Sequence, residues 1–483
     1  MQPLSNLDAS FLHLEKTGTP MHVGGLLLFA APRDGVMTFD RFRRHVGTRM
    51  QTARVFRQRL VMPAGPLLRP VWVEDPEFRL DNHLRRRPVN TPITRESLEA
   101  VCSAFFSKPL RRDQPLWELM FVHNMRPEDG FAVLLKVHHC ALDGVSAEAV
   151  ITGLLDFTPE PRPMSPDTWQ PEPLPELADS LRAARDGLGD VRVLGKQGVS
   201  LARSAAVIGA HWLKHNVGPA RDRDLPRYFA APETPFNRPV TAERRFFGVQ
   251  LSLKKIKAIK NTRPGCTVND VVLAVCAGAV RRYLAAEGAL PDASLIAMAP
   301  VSRRNGAEQA AGGNQVSSML IRLATDIADP VARLERIHAN AEQAKRYSRE
   351  VPVDSLLDRL PPAGPGLALT AYSRLRLGNR IPPVFNFVVT NVPGSPLPLF
   401  LDGAMLRGIG GMVGVYDNMA LNFVVMSYLD QLSICVTTTP DAVRMPMRLT
   451  HALEEALEEL AQAVLPAPAA KSDAPVARAT ASA

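Results

Sequence analysis

Two adjacent histidines stand at the end of an apolar run in "LLKVHHCALDGVSAEAV" (134–150). Because histidine titrates near neutral pH, such a pair either transfers protons or is packed and hydrogen-bonded as part of the core. Side chains alternate along a strand, which places His139 on the apolar face of Val137 and His138 on the opposite face. Apolar surroundings disfavour an imidazolium, so we expect His139 to be neutral and able to accept a proton from a hydroxyl or a thiol.

Two other chemistries fit this stretch poorly. Neighbouring strand residues point apart, so His138 and His139 cannot easily hold one metal ion, and no third ligand stands at a suitable spacing. Cys140 would face away from His139 if the strand continued, which disfavours a Cys-His nucleophilic pair. Asp143 and Gly144 predict a turn before the next helix, and Asp-Gly is ordinary turn chemistry. These residues alone leave a catalytic base and a structural pair both open.

The length and composition of the chain indicate a large globular protein. Of its 483 residues 46% are hydrophobic and 22% are charged, and this length favours two large domains. The N-terminus lacks a signal-peptide pattern, and no run of roughly 18 apolar residues could span a bilayer. Five widely spaced cysteines without a CxxC favour a reducing compartment over a disulfide framework or a structural zinc: Cys102, Cys140, Cys266, Cys276 and Cys435. We therefore predict a cytoplasmic protein, soluble or at most attached to a membrane surface.

Much of the net charge of +9 is concentrated in residues 41–60, "RFRRHVGTRMQTARVFRQRL", which contain seven arginines, one histidine and no acidic residue. Such a segment suits nucleic acid, anionic lipid or a phosphorylated small molecule. No zinc-finger, RNP or basic-zipper pattern accompanies it, so nucleic acid is not expected as a partner. A solvated helix face, a phosphate-bearing cofactor and a lipid surface stay open as its role.

Residues 1–157 alternate short apolar runs with helical stretches, as in an α/β lobe. "HVGGLLLFAAP" (22–32) predicts a strand ended by proline, and "TFDRFRRHVGTRM" (38–50) predicts a helix with its threonine as N-cap. "LWELMFVHNM" (116–125) and "FAVLLKVHH" (131–139) predict two strands of a hairpin.

The rest of the chain predicts a connector, a second lobe and a tail. Residues 158–235 are rich in proline at both ends and helical between, which indicates a long, partly helical connector. In 236–465, "TVNDVVLAVCAGAVRRYLAAEG" (267–288) predicts a helix, "MALNFVVMSYLD" and "QLSICVTTTPD" a hairpin, and "MRLTHALEEALEELAQAVL" a closing helix. The glycine-rich stretch 407–417 lacks GxGxxG and is expected to let the backbone approach a tunnel or the other lobe closely. Residues 466–483 predict a disordered tail.

Several stretches together resemble a known family. "HHCALDG" matches the HHxxxDG motif of acyl-CoA-dependent acyltransferases related to chloramphenicol acetyltransferase and to peptide-synthetase condensation domains. The wider chain resembles one branch, the bacterial wax ester synthase/diacylglycerol acyltransferases, in "PLSNLDASFLHLEKTGTPMHVGGLLLF" (3–29), "QPLWELMFV" (114–122), "TVNDVVLAVCAGAVRRYL" (267–284) and "VVTNVPG" (388–394). The resemblance covers residues 3 to 465 in order, apart from the proline-rich 158–175.

The resemblance implies a mixed α/β fold of two chloramphenicol-acetyltransferase-like lobes with an active-site tunnel between them. It implies that His139 is the general base, which takes the proton of an alcohol as this attacks the thioester of acyl-CoA. The product would be a wax ester from a fatty alcohol or triacylglycerol from diacylglycerol. Acyl-CoA is then a co-substrate, and no metal, bound cofactor or covalent acyl-enzyme is expected. Because the substrates are oily, we expect peripheral association with the inner membrane or with lipid inclusions.

The resemblance also suggests roles for the other residues of the motif. Asp143 is expected to order the site through an ion pair with an arginine, for which Arg303 and Arg304 are the candidates. His138 is expected to fix the backbone and the imidazole of its neighbour, and Gly144 to allow the tight turn.

Two further motifs of the branch have both a structural and a functional interpretation. Pro115, Leu116 and Trp117 match its PLW motif, which either supports the core or lines the acyl tunnel. Asn269 and Asp270 match its ND motif, but "TVND" is also a capping-box sequence with its threonine as N-cap.

Two alternatives to this function stay open from sequence. The same fold could use another alcohol or an amine as acceptor, or the protein could bind lipid surfaces with histidines that no longer catalyse. The intact HHxxxDG motif and the length of the resemblance favour the enzyme.

Overall fold

The computed structural model describes residues 2–4, 6–16, 18–62, 70–89, 94–124, 130–142, 151, 153–171, 229–302, 316–350 and 382–466. Four predicted site residues lie outside these ranges: Asp143, Gly144, Arg303 and Arg304. Most of the predicted connector and nearly all of the predicted tail lie outside them as well.

The first half of the described chain alternates strands and helices. In chain order these are β1 (Gln2–Pro3), α1 (Asn6–Leu14), β2 (His22–Phe29), α2 (Phe39–Arg49), β3 (Gln58–Val61), β4 (Val71–Glu74), β5 (Leu84–Val89), α3 (Arg95–Ser107), β6 (Trp117–Asn124) and β7 (Phe131–His138).

The second half contains longer helices packed on a second sheet. Its elements are β8 (Arg245–Ser252), α4 (Leu253–Asn261), α5 (Val268–Ala286), β9 (Ile296–Ser302), β10 (Val316–Arg322), α6 (Pro330–Glu350), β11 (Phe387–Val392), β12 (Phe400–Leu401), β13 (Ala404–Met412), β14 (Leu421–Tyr428), β15 (Gln431–Thr438) and α7 (Pro446–Val464).

The first large sheet has the strand order β12-β13-β2-β7-β6-β5. The predicted hairpin is confirmed, because β6 and β7 pair antiparallel. On its other side β7 pairs antiparallel with β2, and His22 lies opposite His138. Strand β7 is buried along its whole length, with Val133 and Val137 in one apolar cluster and Ala132 in another. A central strand covered on both faces explains why this stretch is a continuous apolar run.

The first sheet takes two strands from the second half of the sequence. Residues 400–412 fall inside the predicted second lobe, 236–465, but β13 pairs with β2. Sheet membership therefore differs from the predicted lobe boundary at this segment. The sequence analysis predicts no strand at 404–412, and strand pairing over such a sequence separation has no local signal.

The second large sheet has the strand order β10-β9-β11-β14-β15-β8. The predicted hairpin of β14 and β15 and the predicted closing helix α7 are confirmed. Helix α5 is buried at the centre of this lobe, and its apolar cluster includes residues of α4, α6 and α7. The N-caps predicted for α2 and α5 are also present. Thr38 accepts a hydrogen bond from the backbone N–H of Arg41, and Thr267 accepts one from the backbone N–H of Asp270.

Glycines allow the two sheets to approach each other. A Cβ atom placed on Gly410 of β13 would lie 2.6 Å from Sγ of Cys435 on β15, and one on Gly411 would overlap Val424 of β14. Only a residue without a side chain fits at such a separation. The close backbone approach predicted at 407–417 is therefore present at these two glycines, against strands of the second sheet.

Candidate active site

His139 lies directly after β7, where the strand passes into a short 3-10 turn, His139–Leu142. Its backbone N–H donates a hydrogen bond to the carbonyl oxygen of Met21, 2.8 Å away. Its ring stacks on that of Phe11 from α1, with centroids 3.8 Å apart and an interplanar angle of 24°. The segment before β2 thus fixes the backbone of His139 at the end of β7, and helix α1 fixes its ring.

The surroundings of His139 hold its imidazole in the neutral form. Burial lowers its pKa to about 4, and the nearby His138 adds to this, while the residue's own backbone oxygen opposes it in part. The residue retains some access to solvent, although its Nδ1 atom is shielded. A neutral imidazole that a small molecule can reach is able to accept a proton near neutral pH.

His138 is more deeply buried and has polar partners. Its Nδ1 atom accepts a hydrogen bond of 3.2 Å from the backbone N–H of Cys140, so the ring proton resides on Nε2. That Nε2 atom lies 3.5 Å from Oε1 of Glu15. The two histidines therefore differ in role: His138 is held in one orientation by neighbours, and His139 presents a ring that only stacks.

Glu15 joins several parts of this site. Its carboxylate accepts hydrogen bonds from the Met21 backbone N–H, at 3.1 Å, and from Nε of Arg112, at 2.9 Å. Burial alone would raise its pKa, but His138 and Arg112 outweigh this and lower the pKa to about 2. Met21 links Glu15 to His139, because its N–H binds Glu15 and its carbonyl oxygen binds the backbone of His139.

Sequence reasoning did not single out Glu15, Phe11 or Arg112. Glu15 and Phe11 lie in the N-terminal stretch that carries part of the family resemblance, and that membership is their only sequence signal. Arg112 is 97 residues from Glu15 along the chain, a separation at which periodicity gives no information.

A third histidine, His22, lies opposite His138 on β2. It is fully buried, and its Nε2 atom is 2.8 Å from the carbonyl oxygen of Phe106. Burial lowers its pKa to about 3, and the nearby Lys136 ammonium contributes to that shift. His22 is therefore a neutral, hydrogen-bonded core residue next to the site.

The PLW residues contact the strand that carries the histidines. The carbonyl oxygen of Leu116 accepts the backbone N–H of His138 at 2.9 Å, and that of Pro115 accepts the N–H of Trp117 at 2.9 Å. The Trp117 indole N–H donates to the carbonyl oxygen of Phe56 at 3.0 Å, and Leu116 and Trp117 are fully buried. These contacts favour the core-support interpretation of the motif.

The ND residues form a separate polar group in the second lobe. Asp270 completes the predicted capping box by accepting the backbone N–H of Thr267 at 2.9 Å, and Nδ1 of His338 lies 2.9 Å from the same oxygen. Oδ1 of Asn269 accepts a 3.5 Å hydrogen bond from Asn391 of "VVTNVPG". Among the described residues, none of these hydrogen bonds leads to the histidine pair.

A cavity of about 590 Å³ lies between the two large sheets. Apolar side chains from both lobes line much of it, among them Leu26, Leu28, Leu98, Phe246, Val249 and Ile409. Neither histidine of the pair lines this cavity: its residues Phe29 and Phe131 pair at the end of β2 and β7 opposite to His22 and His138.

The arginines of residues 41–60 are largely paired with aspartates. Among the arginines of this segment whose side chains the structure describes, five have a carboxylate within 4.0 Å: Arg41 with Asp34 and Asp402, Arg43 with Asp81, Arg49 with Asp156, Arg57 with Asp167 and Arg59 with Asp75. The local excess of positive charge in the sequence is thus mostly neutralised by acids from other segments. Residues 41–60 therefore do not form a uniform polyanion-binding surface in the folded chain.

In the part of the chain that the structure describes, no three His, Cys, Asp or Glu side chains are grouped so that they could hold a metal ion. Within the same residues, every helix is too short or too polar to cross a membrane.

The fold of two six-stranded sheets is shared with solved acyltransferase structures. A trichothecene 15-O-acetyltransferase from Fusarium sporotrichioides, 13% identical, has the same fold over 96% of this chain and 94% of its own, with a TM-score of 0.59. A wax ester synthase/diacylglycerol acyltransferase from Marinobacter aquaeolei VT8 is more similar, with a TM-score of 0.68 and 30% identity over 96% of this chain and 100% of its own.

Sequence comparisons agree with the fold. Residues 4–272 match the catalytic domain of the wax ester synthase/diacylglycerol acyltransferases, and residues 312–461 match the C-terminal domain of the same group. A relative from Mycobacterium tuberculosis that carries the name diacylglycerol O-acyltransferase is 34% identical over 95% of this chain and 98% of its own. The chain belongs to the wax ester synthase/diacylglycerol acyltransferase family and is an acyltransferase.

Proposed function

We propose that this acyltransferase transfers a fatty acyl group from acyl-CoA to the hydroxyl of a long-chain alcohol or of diacylglycerol, with His139 as general base. The observation that carries the proposal is the imidazole of His139, kept neutral by burial at a position that solvent can reach. The names of the family relatives indicate the two classes of acceptor.

In the proposed reaction, the neutral imidazole of His139 acts on an alcohol placed next to the thioester of acyl-CoA. Because Nδ1 of His139 is shielded, Nε2 is the nitrogen that accepts the hydroxyl proton. The alcohol oxygen forms a bond to the thioester carbon and gives a tetrahedral oxyanion. When this collapses, the C–S bond breaks and the imidazolium returns its proton to the thiolate of coenzyme A. The route consumes acyl-CoA as a co-substrate and needs no bound cofactor.

The neighbours of His139 support this role by fixing its position. Phe11 holds the plane of the ring, and the carbonyl oxygen of Met21 holds the backbone. A base held in one orientation loses less entropy on reaching the reactive geometry than a mobile one does. The apolar cavity between the sheets suits a hydrocarbon chain, since burying apolar surface is favourable.

The proposal includes reversible attachment to a membrane or lipid-inclusion surface, from which oily substrates reach the enzyme. Exposed apolar side chains support it, among them Phe157, 54% exposed, and Leu397, 57% exposed. Surface insertion of such side chains would be reversible, unlike a transmembrane anchor.

Release of coenzyme A from palmitoyl-CoA, with hexadecanol or a diacylglycerol as acceptor, tests the function. General-base catalysis typically contributes about 10²–10⁴-fold, so His139→Ala should lower kcat by that order while the far-UV circular dichroism stays that of the wild type. His451→Ala is the matched control, because this histidine is exposed on α7. Equal rates for wild type and His139→Ala would show that another group is the base, and the acceptor that supports turnover identifies the product.

A further inference from the structure

A surface pocket of about 590 Å³ lies along α2, at the opposite end of the first sheet from the histidines. Its position follows from strand register: β13 begins beside Phe29 and the pocket residue Asp402 just precedes it, whereas His22 at the other end of β2 pairs with His138. The pocket is therefore separate from the site of His139.

The lining of this pocket is mainly cationic. Arg41, Arg44 and Arg49 contribute from α2 and Arg162 from the segment that follows the first lobe, while Asp402 is the one acidic side chain in the lining. Arg41 and Arg44, three residues apart, are neighbours on the surface of α2, and Arg49 is the last residue of that helix. We call this the arginine pocket.

Arg49 is the most unusual member of the arginine pocket, because its side chain is only 1% exposed. Nη2 donates a 2.7 Å hydrogen bond to Oδ2 of Asp156, but Nε and Nη1 are shielded from solvent and, within the described part of the chain, have no hydrogen-bond partner. Burial lowers the pKa of Arg49, and the attraction of Asp156 offsets this only in part. Buried donors without acceptors are costly, so a ligand with several acceptor oxygens would satisfy them.

The charges around the arginine pocket leave a surplus of positive charge. Its four arginines are offset by three carboxylates, those of Asp34, Asp156 and Asp402. The lining also includes His45, whose Nε2–H donates a hydrogen bond to the carbonyl oxygen of Leu154 and whose pKa is lowered by burial. Arg44 is exposed and has no ion pair among the described residues, which leaves its guanidinium available to a ligand.

We propose that the arginine pocket binds a phosphate group. Phosphate combines negative charge with several acceptor oxygens, and the planar fork of arginine matches it with two parallel hydrogen bonds. The phosphate can belong to a lipid headgroup or to a free anion. Exposed apolar side chains close to pocket residues in the sequence favour the lipid. Phe157 comes directly after Asp156, which pairs with Arg49, and Met405, 37% exposed, lies three residues after Asp402. For that source, the inference rests on the proposed attachment to lipid surfaces.

Titration with inorganic phosphate tests the pocket without lipid. Thermal unfolding at constant ionic strength should show a melting temperature that rises with phosphate for the wild type but less for Arg44→Ala, with binding about fivefold weaker. Arg43→Ala is the matched control, since Arg43 is an exposed neighbour paired with Asp81 outside the pocket. Arg49→Lys keeps the buried charge but removes the fork, so it should lose the phosphate response; if it fails to fold, Arg44→Ala still decides.

Vesicle flotation separates the two sources of phosphate. Wild type should bind phosphatidylcholine vesicles that contain phosphatidylglycerol more than phosphatidylcholine alone, and Arg44→Ala should reduce that preference about fivefold while Arg43→Ala does not. A response to inorganic phosphate through Arg44 without vesicle binding would support the pocket and contradict the lipid attachment. The proposed phosphate site would be wrong if the wild type responded neither to inorganic phosphate nor to vesicles. It would also be wrong if Arg43→Ala and Arg44→Ala weakened the response equally.

Discussion

Each lobe of the molecule contains a carboxylate beside a histidine, largely buried for Glu15 and fully buried for Asp270. In the first lobe Oε1 of Glu15 lies 3.5 Å from Nε2 of His138, and in the second lobe Oδ2 of Asp270 lies 2.9 Å from Nδ1 of His338. By distance and burial alone the second pair is the better formed. The partners that each carboxylate has besides its histidine distinguish them.

Glu15 connects segments that are distant in sequence, whereas Asp270 serves mainly its own helix. Glu15 binds Arg112 and the backbone of Met21, which in turn binds the backbone of His139. Asp270 binds Thr267, three residues earlier, and thereby closes the capping box of α5. The same pair of chemical groups thus links the segments around His139 in one lobe and closes a helix terminus in the other.

Glu15→Gln is the change that should separate the two pairs most clearly. It removes the charge that holds Arg112 and His138 but nearly preserves the shape of the side chain. Hydrogen bonds to charged groups contribute roughly 1.5–3 kcal/mol, so kcat should fall about 10–100-fold. Because we expect Glu15 to position His139 and not to touch substrate, the KM for acyl-CoA should stay near that of the wild type. Steady-state coenzyme A release checks both constants, and a kcat within twofold of wild type would contradict the positioning role.

The local features of both regions could be predicted from sequence. The alternation along β7, the strand end at the histidines and the neutral state of His139 follow from an apolar run that ends in a polar turn. The capping box of α5 follows from four consecutive residues, "TVND". Each of these depends on neighbours within one helical turn or one strand, where sequence spacing determines geometry.

The contacts that could not be predicted join distant segments. The pairing of β13 with β2, the ion pair of Arg112 with Glu15 and the stacking of Phe11 on His139 all depend on how the lobes pack. The arginines of 41–60 show the same limit, because their partners include Asp156 and Asp402, far along the chain. A charge count over one segment cannot show which charges remain free after folding.

Asp270→Asn tests the other pair and should affect stability instead of rate. The amide oxygen can still accept the Thr267 N–H, so the change mainly weakens the hydrogen bond to His338, and the free energy of unfolding should fall by about 1 kcal/mol. Urea denaturation measures this loss, and activity per folded molecule should equal that of the wild type. A fall in kcat of the size expected for Glu15→Gln would instead assign the ND motif a place in the catalytic site.

The pH dependence of the wild type should show the smallest change of all, which is itself informative. Since burial lowers the pKa of His139 to about 4, the base is already unprotonated well below neutrality. We expect kcat/KM to stay nearly level from pH 8 to about 5.5, where a histidine with the ordinary pKa would retain about one tenth of the rate. Stability behaves differently: the unfolded chain binds this proton with a pKa of 6.5 and the folded chain only near 4, so stability declines as pH falls between these values.

The pH profile is therefore best measured with a short assay that finishes before unfolding, and Asp270→Asn is its control. The Asp270 pair lies in the other lobe, so its loss should leave the profile of kcat/KM superimposable on that of the wild type. A decline with a midpoint near 6.5 in both proteins would mean that the base titrates as a solvated histidine does. The burial of His139 would then not determine its protonation in the working enzyme. The kcat of Glu15→Gln would be the remaining test of the contrast between the Glu15 pair and the Asp270 pair.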